Sequence, residues 1–234
     1  MMAAGSVKDA LDEVRQRIGN AAQASGRKAE DVQLVVVSKW VEQEAIAAAF
    51  REGVFDFGEN YIQELQKKAI VFPDIRWHMI GQVQKNKVKY MPGNTKLIQS
   101  LDDWDVALEI DKRFAQAGMV ADVLIQVNIG NEPQKAGIAS EDVALFAERV
   151  QALPCVNVQG LMAIPPAATT PEGSRPFFTA MKRLYDQVSR EIQTMRWLSM
   201  GMSADYEVAI EEGTNMVRVG SSIFGARVPG NRSK

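Results

Sequence analysis
The chain has 234 residues, 46% hydrophobic and 24% charged, and Lys+Arg 27 against Asp+Glu 29 leaves a net charge of -2. That is enough apolar material for one large core under a solvated surface, and the length suits one α/β barrel, so a single domain over 1–234 is expected. No broad basic field exists to attract phosphate backbones or anionic lipid, which argues against nucleic-acid and membrane roles.

In chain order, the segment "SVKDALDEVRQRIGNAAQASG" comes first and places Val7, Leu11, Val14 and Ile18 on one helical face, with Ser6 and Asp9 as a capping pair. It carries Asp9, Asp12 and Glu13 and lacks a continuous apolar core, so it fits neither a secretory signal nor a transit peptide. No window reaches the apolar length of a membrane span. Eight strand candidates follow: 33–38, 54–58, 75–81, 96–101, 122–129, 156–164, 196–201 and 215–220. Helical patterns separate them, with Val143, Phe146, Ala147 and Val150 on one face and Phe177, Met181, Leu184, Val188, Ile192 and Met195 on another. The segment "PPAATTPEGSRP" (165–176) reads as an exposed flap after the sixth strand. Apolar, β-branched strands alternating with helices predict a parallel sheet, and eight units predict a closed (β/α)8 TIM barrel with an extra N-terminal helix. An open doubly wound sheet is the alternative.

Cysteine and histidine usage narrows the chemistry. A single cysteine, Cys155, cannot form an intramolecular disulfide, and a reducing, cytoplasmic setting is the simplest. A single histidine, His78, rules out multi-histidine metal sites and leaves a Ser-His triad one base.

In such barrels functional groups sit at the C-terminal ends of strands. The first strand, "LVVVSKW", ends on Lys39. An ammonium leaving a dry strand loses hydration, its pKa falls, and the neutral amine can attack an aldehyde; the plainer reading is a lysine reaching for solvent at the mouth. After strands seven and eight, "SMGMSADYEVAIEEG" supplies Gly201 and Ser203, and "RVGSSIFGA" supplies Gly220, Ser221 and Ser222. Together they form a phosphate cup, or else two ordinary turns with serine caps. Pyridoxal 5'-phosphate carries both an aldehyde and a phosphate, so one ligand explains both features. Arg218 could face its pyridine nitrogen, where a permanent cation disfavours ring protonation; otherwise it is a surface ion-pair residue.

The segments "VVVSK", "FGENYIQE", "WHMIGQVQKNK", "GLMAIPP" and "LSMGMSADYEVAIEEGTNMVRVGSSIFGAR" resemble the pyridoxal phosphate homeostasis protein family (YggS/PROSC type) from about residue 6 to Arg227. The resemblance implies a fold-type III barrel, similar to the N-terminal half of alanine racemase without its C-terminal β domain. It implies Lys39 as the Schiff-base lysine and Arg218 at the pyridine nitrogen. Ser203, Gly220 and Ser221 match phosphate-holding positions, and Asn60, His78, Met162 and Ser199 line the pocket. It further implies a monomeric, non-catalytic carrier of pyridoxal 5'-phosphate with PLP-dependent apo-enzymes as partners. Two features depart from the family pattern. Trp40 stands where a small polar residue or tyrosine is usual, and "QKAGI" (134–138) replaces a serine-lysine-serine-glycine form while keeping Lys135, read as a solvated charge.

The alternative is an amino-acid racemase or decarboxylase. A racemase needs acid/base groups on both faces of the cofactor, and of Tyr61, Tyr90, Tyr185 and Tyr206 none is placed by sequence to oppose Lys39. A Schiff-base aldolase is a weaker third reading, because it expects its lysine on a later strand and leaves Arg218 unexplained.

Overall fold
The computed structural model describes residues 4–225, and Arg227, at the end of the resembling segment, lies outside them. The order is α1 (Ala4–Ala24), β1 (Gln33–Val37), α2 (Gln43–Arg51), β2 (Asp56–Glu59), α3 (Ile62–Val71), β3 (Arg76–Met79), β4 (Leu97–Leu101), α4 (Trp104–Gln116) and β5 (Ala121–Val127). It continues with α5 (Val143–Gln151), β6 (Val156–Ala163), α6 (Arg175–Val188), β7 (Trp197–Met202), α7 (Tyr206–Glu211), β8 (Met216–Val219) and α8 (Ser221–Phe224). The strands close in sequence order, and β1 pairs with β8 in parallel through Val35 opposite Arg218. The closed barrel therefore holds and the open sheet does not. Among the described residues no helix is long and apolar enough to cross a membrane.

Each strand candidate has its strand, with shifted ends. The second starts at Asp56, leaving Val54 and Phe55 outside it, and the third is confined to Arg76–Met79. The first helix already includes Ala4, so Ser6 lies inside it and not at its N-cap. In α6 the buried aromatic is Phe178, not Phe177, and the helix stops at Val188, so Ile192 and Met195 are buried from the turn that follows. Pro176, accommodated in the first turn, sets that start. Of the expected flap, Pro171–Ser174 forms a 3-10 turn and Pro166 packs where a side chain at Gly130 would stand.

The pleat sorts side chains between two cores. Val35, Leu97, Leu124, Met162 and Met216 cluster inside the barrel with Trp197 against them. Their neighbours Val36, Ile98, Val123, Leu161 and Val217 join the large core under the helices. The same alternation carries inward facing from Val35 to Lys39 and from Met216 to Arg218. A bulge in β6 ends at Gly160, whose φ of +152° and approach to β7 suit only glycine, since a Cβ there would stand 1.8 Å from the Trp197 carbonyl oxygen.

The last helix, α8, has four residues and cannot cover its side of the barrel. Helix α1 fills that place, packing against α2, α7 and α8 with Val7, Leu11, Val14, Ile18, Ala21 and Ala22 buried. Leu11→Ala is expected to cost about 3 kcal/mol, because the site is closed on all sides and cannot collapse fully; urea unfolding followed by circular dichroism measures it.

Candidate functional site
The expected residues gather at the C-terminal ends of β1, β2 and β6 to β8. Lys39 lies two residues beyond β1, half-buried, with its Nζ 5.6 Å from the Trp40 ring centroid. The turn carrying it is clamped from behind. Lys68, buried on α3, donates to the Ser38 carbonyl, Glu59 Oε1 and Glu64 Oε1, each at 2.7 Å. Ser38 Oγ donates to Glu59 Oε1 at 2.6 Å, and the Trp40 amide donates to Glu64 Oε1 at 2.7 Å. Trp40 has φ +58°, a conformation that costs a bulky residue about 1–3 kcal/mol and needs such anchorage. Its half-exposed ring stacks on Tyr61 with centroids 6.5 Å apart. Burial raises the Glu59 carboxyl to about 6, against the pull of Lys68.

Arg218 is no surface residue. It is 3% exposed, and burial lowers its pKa to about 10, which leaves it cationic at neutral pH. Nη1 donates to Ser199 Oγ at 2.6 Å and Nη2 to the Ala163 carbonyl at 3.0 Å, both neutral acceptors. A guanidinium has five N–H donors, so capacity remains for an acceptor at the mouth. Ser199 Oγ in turn donates to Gln99 Oε1 at 2.7 Å. Gln99 Nε2 is 2.9 Å from His78 Nδ1, and His78 Nε2 is 3.0 Å from Asp56 Oδ1. His78 therefore stands deep in the barrel with both ring nitrogens engaged, and Ser199 sits beneath Arg218. Met162 is buried in the interior apolar cluster.

Ser203, after β7, accepts the amides of Gly220 at 3.2 Å and Ser222 at 3.3 Å, joining the ends of β7 and β8 around Ser221. Both amides are thereby taken up inside the turn, and the Ser203 and Ser221 hydroxyls are the groups left there for an anion. Asn60 ends β2 where Gly81 lets β3 approach, since a Cβ at Gly81 would lie 2.3 Å from the Asn60 carbonyl oxygen. Asn60, Tyr61 and Lys87 line a cavity of about 400 Å³ there. Lys135 is no solvated charge: it pairs with Glu132 and donates to the Pro165 carbonyl at 3.1 Å, tying the β5 loop to the start of the flap.

Sequence reading passed over Asp56 and Gln99, and over the clamp of Glu59, Glu64 and Lys68. The available signal was polarity in buried strands: "DFGE" and "LIQSL" carry charged or amide groups at positions the barrel encloses.

The sequence model of the family described as alanine racemase, N-terminal domain, matches residues 10–228. A pyridoxal phosphate homeostasis protein of Aquifex aeolicus is 44% identical over 93% of this chain and 96% of its own. That of Pseudomonas aeruginosa is 36% identical over 95% and 96%. The structure of PipY from Synechococcus elongatus with PLP bound superposes with a TM-score of 0.80 at 29% identity, covering 94% of this chain and 100% of that one. An alanine racemase of Clostridium difficile shares the fold at TM-score 0.74 and 14% identity, over 97% of this chain and 57% of its own.

Asp56 yields a pH prediction. Burial pushes its carboxyl up, but hydrogen bonds from His78 and Arg76 outweigh this and hold it at about 2, below the ordinary 3.8. A depressed acid stabilises the fold above pH 3.8, and that contribution is lost as pH falls towards 2. The stability gap between wild type and Asp56→Asn is expected to shrink by about 2 kcal/mol from pH 6 to pH 2, read from urea midpoints.

Proposed function
The chain belongs to the alanine racemase N-terminal domain family, among the pyridoxal phosphate homeostasis proteins, and from that membership we propose that it holds pyridoxal 5'-phosphate at the barrel mouth, covalently on Lys39, and buffers or delivers it without turnover. The observation that carries this is Arg218, a buried cation bonded only to neutral oxygens, on the strand beside the one that delivers Lys39. Its remaining donors suit a pyridine nitrogen. The Gly220 and Ser222 amides are taken up by Ser203 Oγ, which leaves the Ser203 and Ser221 hydroxyls to meet the phosphate. Asn60 and Met162 complete the walls. The cofactor supplies an aldehyde for the tether and a ring able to withdraw electrons.

Two features favour holding over reacting. A guanidinium keeps its proton, so a pyridine nitrogen facing Arg218 stays unprotonated and the ring remains a weak electron sink. Racemisation also needs a second base opposite Lys39. Of the tyrosines, Tyr61 stacks on Trp40 beside Lys39, Tyr90 is exposed, Tyr185 is partly buried against the outer core, and Tyr206 is buried among the helices. His78 is held by Asp56 and Gln99. The proposal extends to a cytoplasmic monomer that passes its cofactor to PLP-dependent apo-enzymes; light scattering and transfer to such an apo-enzyme test those parts.

Purified protein mixed with pyridoxal 5'-phosphate is expected to develop the visible absorbance of a lysine-bound pyridoxal, and borohydride reduction followed by peptide mass analysis is expected to place the label on Lys39. Lys39→Ala is expected to lose both signals. A colourless wild type would sink the cofactor assignment. Sustained α-proton exchange of an amino acid in deuterated water, over many turnovers, would sink the carrier reading.

A further inference from the structure
Arg218 is enclosed in the barrel with no carboxylate at hydrogen-bonding distance, although a buried charge normally requires an opposite one. The carboxylate that acts on it through space is the buried Asp205, and a second one lies in the barrel interior at the other end of the strands. Asp56 is 6% exposed and is reached through Ser199, Gln99 and His78, one residue from each of β7, β4 and β3.

The donors in this chain all run one way. Arg218 Nη1 donates to Ser199 Oγ, whose own proton goes to Gln99 Oε1. With that carbonyl fixed, Gln99 Nε2 donates to His78 Nδ1, so the imidazole proton is on Nε2 and points at Asp56. Reversing the Gln99 amide breaks the pattern, because Ser199 would then face donors from both Arg218 and Gln99 and lose the acceptor for its own proton. Gln99 Nε2 also lies 3.3 Å from Met216 Sδ, a weak acceptor that fits the same orientation. At the far end Asp56 also accepts from Gln33 at 2.8 Å and from Arg76 Nε at 2.9 Å. Arg76 Nη2 donates to the other oxygen of Asp56, so the carboxylate is held bidentately at the chain's end, and the chain leads from it into the enclosed barrel. Aligned hydrogen bonds polarise one another in such surroundings.

We propose that Asp56 anchors, through His78, Gln99 and Ser199, a one-directional hydrogen-bond chain that fixes the guanidinium against the pyridine nitrogen of the bound cofactor. The inference rests on the cofactor reading above. It makes Asp56, His78 and Gln99 positioning residues that act on the ligand through Ser199 and Arg218.

The test loads wild type, Asp56→Asn, Gln99→Met and the double variant with pyridoxal 5'-phosphate labelled with nitrogen-15 in the ring. It records the ring-nitrogen resonance and the rate of cofactor loss to a carbonyl trap such as hydroxylamine. Asp56→Asn keeps the shape and an acceptor for His78 while removing the charge. Each single variant is expected to shift the resonance and to speed loss roughly five-fold or more, a typical size for coupling between sites. The double variant is expected to do no more than the stronger single one, because both break the same chain. Folded, loaded single variants with wild-type resonance and release overturn the inference, as do additive effects in the double variant. If Asp56→Asn does not fold, Ser199→Ala, which removes one hydroxyl, takes its place with the same expected and overturning results. A wild type that takes up no cofactor defeats the underlying reading instead, so the two failures are distinguishable.

Discussion
A guanidinium enclosed in the barrel sets the terms for much of this structure. Arg218 sits on β8 at a position the pleat turns inward, where burial withholds bulk solvent from it. The interior responds by being only partly apolar. Val35, Leu97, Leu124, Met162 and Met216 fill one part of it, and Ser199, Gln99, His78 and Asp56 form a polar path through the rest. Asp56, His78 and Gln99 come from the consecutive strands β2, β3 and β4, while the link from Gln99 to Ser199 on β7 crosses the barrel and forms only once the strands have closed around it.

A second constraint acts on the lysine. On the proposed reading Lys39 meets an aldehyde in one orientation, and a side chain so used cannot hang from a loose turn, yet β1 ends at Val37 and Lys39 lies beyond it. The clamp of Lys68, Glu59 and Glu64 answers this from outside the barrel, holding the Ser38 carbonyl, the Ser38 hydroxyl and the Trp40 amide at once. Trp40, for which the sequence offered no role, closes the turn: its left-handed backbone redirects the chain into α2, and its ring covers Tyr61 and lies beside the Lys39 ammonium. Glycine would relax the backbone strain and also remove that aromatic face.

The barrel was legible in the sequence because its signal is local and repeated. Eight apolar β-branched runs alternate with helical periodicity, and closure follows from their number. Lys39 and Arg218 were legible for the same reason, being single charges at the ends of apolar runs. Segment ends were less so: β2 begins after Phe55, and α6 buries Phe178 because the helix phase is set by where it starts. The polar chain and the clamp were not legible, since a glutamine in "LIQSL" or a glutamate in "FGEN" has no meaning until the neighbouring strand supplies its partner. The sequence also suggested a surface ion pair as one reading of Arg218 and a solvated charge for Lys135. Both were local readings, and the acceptors that refute them lie 19 or more residues away.

The same arrangement bears on why a fold shared with a racemase suits the storage role proposed above. Catalysis on pyridoxal 5'-phosphate draws on a protonated ring and on groups that can move protons at both faces. In this chain the group nearest the ring nitrogen position is a guanidinium, which does not give up its proton, and the histidine behind it has both nitrogens committed to the barrel interior. On the proposed reading the polar groups serve immobilisation: Lys39 for the aldehyde, Arg218 for the ring, and the Ser203 and Ser221 hydroxyls for the phosphate. Three separate contacts of that kind would hold a small rigid ligand firmly while adding little that is specific to a transition state, and only such transition-state contacts accelerate a reaction. The proposal of binding without turnover rests on where the charges stand and on which of them can lose a proton.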